Sequence, residues 1–94
     1  MAAITGRSTV TRDAGILAAE VGGDLVLMSV SEWHYFGLNS VATDIWKRLE
    51  RPLQVDALCH ALAVDYHADP KVIRNDVLEL LHKLADRMLI EVAA

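Results

Sequence analysis

The apolar residues of this 94-residue chain change period once, within Trp33-His34-Tyr35-Phe36-Gly37-Leu38-Asn39. Before that stretch the pattern reads as short strands, and after it nearly everything reads as helix. A chain divided in this way is confined to an α+β architecture, with an N-terminal sheet packed on C-terminal helices. The same stretch holds three of the five aromatic residues.

Upstream, the apolar runs Ile16–Val21 and Leu25–Ser29 flank Gly22-Gly23-Asp24. Glycines supply the positive φ angles of a tight hairpin turn, so these runs predict two antiparallel strands. A second turn over Val30–Glu32 leads into a third strand, Trp33–Leu38. Period two sets Trp33, Tyr35 and Gly37 on one side of it and His34, Phe36 and Leu38 on the other. Aromatics on both sides predict neighbours on both faces. Met1–Gly15 is small and polar, and is expected to be a flexible tail or a loosely held first strand. Residues 16–94 then form a single domain.

Asn39 or Ser40 is placed to cap the next helix, whose apolar stripe is Val41, Ile45, Trp46 and Leu49. Pro52 ends it. Val55–Val64 reads as a second helix with Leu58, Cys59 and Leu62 turned inward. Asp69-Pro70 starts a third, since aspartate caps and proline suits the first helical position. It is expected to run to about Arg87, with a short final strand over Met88–Val92. Three strands followed by three helices, with a short turn between the last two, resembles a winged helix-turn-helix.

Composition removes several kinds of function. The net charge is −4, and the nine basic residues are scattered singly, whereas a duplex-binding protein concentrates them on one face. Nucleic acid is therefore not an expected partner. No apolar run approaches the ~20 residues of a membrane span, and Met1–Val10 lacks the apolar core of a signal peptide. Cys59 has no second cysteine to pair with, which suits a reducing compartment, and the expected location is cytoplasmic.

The chemistry of catalysis is also missing. His34, His60, His67 and His82 fall in four different elements, and none forms the close pair that zinc sites use, so no metal and no cofactor is expected. Cys59 and His60 are adjacent on a helix and point about 100° apart. No G-x-S-x-G elbow occurs. Gly22-Gly23 precedes a strand, whereas phosphate-cradling loops open a helix. Function is expected to reside in surfaces.

On a helical wheel, Ile73, Val77, Leu81, Leu84 and Met88 define the buried arc of the third helix. Asn75, Glu79, His82 and Asp86 fall on the wet side. Between them runs a mixed stripe of Val72, Asp76, Leu80, Lys83 and Arg87. Such a stripe is most simply the rim of a buried helix, with basic stems lying over apolar surface. The alternative is a groove wall. Were Trp33–Leu38 an edge strand, an extended peptide would add beside it, held by main-chain bonds and by pockets for alternate side chains. Natural edges are often blunted by Lys or Pro, and this one contains neither. Tyr and Trp favour interfaces because one end is apolar and the other hydrogen-bonds.

The residues also carry a family resemblance. Gly23-Asp24-Leu25-Val26-Leu27-Met28, Tyr35-Phe36-Gly37-Leu38-Asn39, Ile45-Trp46, Leu62 with Tyr66, Asp76-Val77, and Leu84 with Leu89-Ile90 occur in this order. Over about Ile16–Val92 the chain resembles the PqqD-like peptide chaperones, or RiPP recognition elements, which bind leader segments of ribosomally made peptides. The resemblance implies a three-stranded antiparallel sheet packed on three helices, with the leader added beside the third strand and against the third helix. The Tyr35-Phe36-Gly37-Leu38-Asn39 segment and Asp76 match the family's positions at that cleft. Taken with the strand and the helical stripe read above, the expected peptide site is Trp33, His34, Tyr35, Phe36, Gly37, Leu38, Val72, Asp76, Leu80 and Lys83, with no catalysis. Implied partners are a precursor leader peptide and a modifying enzyme. That enzyme is a transglutaminase-like leader peptidase if the pathway makes a lasso peptide, or a radical-SAM enzyme in the PQQ type. The stand-alone length and the Tyr-Phe-Gly-Leu-Asn and Ile-Trp segments favour the lasso type. One departure stands out: the family often has glycine at the position of Asp86, Arg87 or Met88, and this chain has none. Unpaired strand edges also leave a homodimer open.

Overall fold

Two small sheets, not one, flank the helices. The computed structural model describes residues 3–31 and 33–93. Met1 and Ala2 of the expected tail, Glu32 of the second turn, and Ala94 lie outside the described residues. The elements in order are β1 (Thr9–Arg12), β2 (Ile16–Val21), β3 (Asp24–Ser29), β4 (His34–Leu38), α1 (Ser40–Arg48), β5 (Leu53–Gln54), α2 (Val55–Tyr66), α3 (Pro70–Asp86) and β6 (Ile90–Ala93). The larger sheet is antiparallel with order β2-β3-β4, and the smaller has order β5-β1-β6.

The β2–β3 hairpin forms as its turn dictates. Gly22 and Gly23 have φ of 60° and 92°, and Val21 pairs with Asp24 across them. The next turn differs from expectation at Trp33. That residue is not in β4 but ends the turn with φ 57°, its N–H bonded to the carbonyl of Ser29 at 2.8 Å. Along β4 the expected alternation holds, with Phe36 half-buried and Leu38 buried, but only one face is covered. Tyr35 aligns with Met28 and Leu17 on the outer face and is 69% exposed. Neighbours on both faces are therefore not found among the described residues, because the helices pack on the Leu25, Leu27 and Leu38 side alone.

Within the first fifteen residues, Thr9–Arg12 is the middle strand of the smaller sheet, and Val10 is fully buried. Arg12 fixes it further, donating from Nε to the Trp46 carbonyl at 2.9 Å with its guanidinium over the Trp46 ring. The crossing segment also caps α2. Gln54 provides no side-chain cap, and the carbonyls of Ser8 and Gly6 instead accept from the N–H groups of Val55 and Asp56, each at 2.9 Å. Helix N-termini leave such donors open, and here the segment just ahead of β1 satisfies them.

Asn39 caps α1, accepting from the Ala42 N–H at 2.9 Å, and Asp69 caps α3, accepting from the Lys71 N–H at 2.9 Å. The buried stripe of α1 is Ala42, Ile45 and Trp46, followed by Leu49. Val41 is exposed, a correction that follows from helical spacing: Ala42, Ile45, Trp46 and Leu49 set the centre of the buried arc, and Val41 lies about 90° from it. Helices α2 and α3 meet through Leu58, Leu62, Val77, Leu81 and Leu84, all essentially without exposure.

The end of α3 is also corrected. Met88 is not buried but 67% exposed, and its φ is 59°. The Leu89 N–H bonds to the Leu84 carbonyl at 2.9 Å, and the Met88 N–H to the Ala85 carbonyl at 3.0 Å. This is a Schellman ending, in which the residue in the left-handed region is usually glycine. Met88 occupies that position, and Leu89 takes the buried place beside Leu84.

Candidate functional site at an open strand edge

β4 is an edge strand of the larger sheet. Antiparallel pairing alternates between residues that bond to the neighbour and residues that point away. The two-residue turn makes Val21 and Asp24 a bonded pair, which assigns Leu25, Leu27 and Ser29 to bond with Leu38, Phe36 and His34. The backbone N–H and C=O groups of Tyr35 and Gly37 are thereby left facing outward. Open space surrounds Gly37, where an added Cβ would meet nothing within 4 Å.

Beneath this edge two hollows lie between the β4–α1 segment and α3. One, of about 180 Å³, is lined by His34, Tyr35, Phe36, Asp86, Arg87 and Met88 among others. The second, of about 350 Å³, is lined by Asn39, Val41, Ala42, Ile45, Asp76, Glu79, Leu80 and Lys83. The Arg87 guanidinium lies 5.6 Å from the centre of the Phe36 ring and joins the end of α3 to the strand. Lys83 Nζ lies 3.4 Å from Oε1 of Glu79, about one helical turn earlier, and both side chains are well exposed. The cleft is thus apolar at its floor and charged along its helical rim.

Of the residues expected at the site, His34, Tyr35 and Phe36 share the first hollow, and Asp76, Leu80 and Lys83 the second. Gly37 contributes backbone. Leu38 turns into the core at 2% exposure and bonds towards β3, so it forms no part of the cleft surface. Trp33 stands 72% exposed at the turn, and Val72 is exposed one turn before Asp76 without lining either hollow. Sequence reasoning missed Val41, Glu79 and Met88 as site residues. Val41 carried a signal, since it lies about 90° from the centre of the arc that Ile45, Trp46 and Leu49 define.

Other polar groups serve packing. Arg48 donates from Nε to Asp44 Oδ1 at 3.1 Å and also bonds to Asp65, while the Tyr66 hydroxyl donates to Asp44 Oδ2 at 2.7 Å. The Arg48 hydrogen bond is the chief reason the Asp44 carboxyl is held below its ordinary range. Burial pushes the Cys59 thiol up, away from a reactive thiolate. Among the described residues no three His, Cys, Asp or Glu side chains group to hold a metal ion, and no helix is long and apolar enough to cross a membrane.

An α+β, winged-helix-like domain with an open strand edge above a helix-walled cleft is a scaffold for capturing an extended chain. The family model described as coenzyme PQQ synthesis protein D (PqqD) matches residues 24–90, and the chain belongs to that family. Its structure is similar to that of TbiB1, solved in complex with the TbiA(beta) leader peptide, with a TM-score of 0.79 and 26% sequence identity. The match covers 89% of this chain and 98% of TbiB1. No curated protein matches the sequence.

Proposed function

We propose that this protein is a non-catalytic, cytoplasmic chaperone for a leader peptide. It captures the leader of a ribosomally synthesised precursor as an added strand on β4 and presents it to a separate modifying enzyme. The observation that carries this reading is the free edge of β4 directly above the α3 cleft. The other edge of the sheet, β2, is less suited, since Glu20 reaches across to Lys47 of α1 at 3.6 Å. Membership of the PqqD family and the likeness to a leader-bound protein support the same reading.

Within the site, outward N–H and C=O groups of Tyr35 and Gly37 supply sequence-independent affinity. Phe36, Val41, Ala42 and Leu80 receive apolar side chains of the leader. Asp76 pairs with a basic or amide group, and Lys83 with an acidic one. Holding the leader raises the effective concentration of substrate at the partner enzyme. The Tyr-Phe-Gly-Leu-Asn and Ile-Trp segments support a lasso-peptide pathway with a transglutaminase-like leader peptidase as that partner. The match to PQQ synthesis protein D favours a second reading, in which the partner is a radical-SAM enzyme.

The test is fluorescence anisotropy with a labelled leader from the precursor gene flanking this one. Binding is expected in the micromolar range, weakened about tenfold by Leu80→Ala, the order expected for one buried apolar side chain. Gly37→Pro is the sharper variant. It removes an outward N–H while leaving the β3 ladder and the fold intact, so binding falls and thermal stability does not. No affinity at roughly 100 μM, or unchanged affinity in both Tyr35→Ala and Leu80→Ala, refutes the proposal.

A further inference from the structure

A third hollow lies on the far side of the α3 C-terminus from the β4 cleft. It measures about 740 Å³ and is lined by Ile4, His82, Ala85, Asp86, Met88, Ile90 and Val92. Five of these seven are apolar. Ile90 and Val92 share one face of β6, so the hollow lies between that face and α3. It adjoins the cleft across the end of α3, where Asp86 and Met88 line both.

The seam is occupied by the one residue of α3's ending that has an unfavourable backbone. Met88 has φ 59°, where a side chain costs energy that glycine avoids, and it is 67% exposed. Strained positions of this kind cluster at ligand clamps. Met88 is an unbranched, polarizable side chain of the sort that adapts to a peptide surface.

We infer that the peptide site does not stop at β4: the end of the bound peptide beside His34 crosses Met88 and seats an apolar side chain in the Ile4–Ala85–Ile90–Val92 hollow. This rests on the peptide-binding reading above and deepens it. The occupant is a further segment of the same peptide, since hollow and cleft share Asp86 and Met88 as walls and extended chain advances about 3.3 Å per residue, so a few residues cross from one to the other. Met88 is then a specificity-determining residue, and the ligand is longer than the strand that pairs with β4.

The experiment uses methyl-labelled protein and synthetic peptides cut from the precursor encoded beside this chain. The short peptide is the smallest that shifts the cleft methyls of Val41 and Leu80, and the long one carries the precursor's own flanking residues on both sides. The long peptide is expected to shift Ala85, Ile90 and Val92 as well, and to bind about tenfold more tightly. Val92→Asp and Met88→Gly are expected to abolish that tenfold gain, and Val92→Asp to leave the short peptide unaffected. Cleft shifts without groove shifts, or equal affinity for both peptides, overturn this inference and leave the strand site standing. No shifts in the cleft set and none in the groove set overturn both.

Discussion

At the scale of single residues, Met88 shows how a local rule is broken and at what cost. A Schellman ending needs a left-handed residue, and the buried Leu84–Leu89 contact holds the chain in that geometry whatever side chain occupies the turn. A side chain there costs about 1 kcal/mol, partly offset in glycine by the entropy of its unfolded chain. Met88→Gly is therefore expected to raise stability by about 0.5 kcal/mol, read as a higher urea midpoint with an unchanged slope. A lower midpoint would mean that the exposed methionine makes packing contacts worth more than its strain. The departure from the family's glycine was visible in the sequence, but its placement needed the helix end. On the wheel Met88 continued the buried arc, and only termination at Asp86 turns it to solvent.

At the scale of elements, α1 is fastened to α2 through Asp44, Arg48, Asp65 and Tyr66. Hydrogen bonding from Arg48 above all lowers the Asp44 pKa from its ordinary 3.8, against a smaller opposing effect of burial, with Tyr66 and the charges of Arg48 and Lys47 assisting. A depressed carboxylate pKa gives stability that is present above the unfolded-state value and lost as pH falls through the folded one. Asp44→Asn is thus expected to cost about 1 kcal/mol at neutral pH, with the gap to the parent narrowing towards about pH 3. Urea titrations at both pH values check it, and a gap that persists in acid would assign the loss to packing. How far such elements could be read from sequence depended on how local their causes are. The Gly22–Gly23 hairpin and the Asn39 and Asp69 caps are fixed by adjacent residues, and all were legible. The smaller sheet was not, beyond a possible strand at each end. Thr9–Arg12 is held by pairing with Leu53–Gln54 and Ile90–Ala93, dozens of residues away, and a two-residue strand has no period to detect. In the cleft, the Asp76–Leu80–Lys83 wall followed from helical spacing, whereas Val41 needed the packing of α1.

At the scale of the whole molecule, the outline invites a DNA-binding reading that its charges oppose. Helices α2 and α3 meet through a short turn in which His67 takes φ 50°, and β5 and β6 bracket them as in a winged helix. A reader helix would need unengaged cations along its outer face to neutralise phosphates. Of the four basic residues from Lys71 to the cap Arg87, Arg74 is held by Asp56 at 2.7 Å, Lys83 lies 3.4 Å from Glu79, and the Arg87 guanidinium sits over Phe36, which leaves Lys71 at the helix start. Asp69, Asp76 and Asp86 add negative charge to the same helix or its cap, within a chain of net charge −4. Phosphate binding would have to break these pairs and overcome that repulsion, with few counterions released in return. Anisotropy with a labelled duplex of about 20 base pairs is therefore expected to show no binding at roughly 10 μM protein and 150 mM salt. Micromolar affinity that falls steeply as salt rises would place nucleic acid, and not a peptide, on this scaffold. The same winged-helix frame that sets a recognition helix against a groove in DNA here sets α3 against the edge of β4, and the cancelled charge of α3, four basic against four acidic residues from Asp69 to Arg87, weighs against the first use.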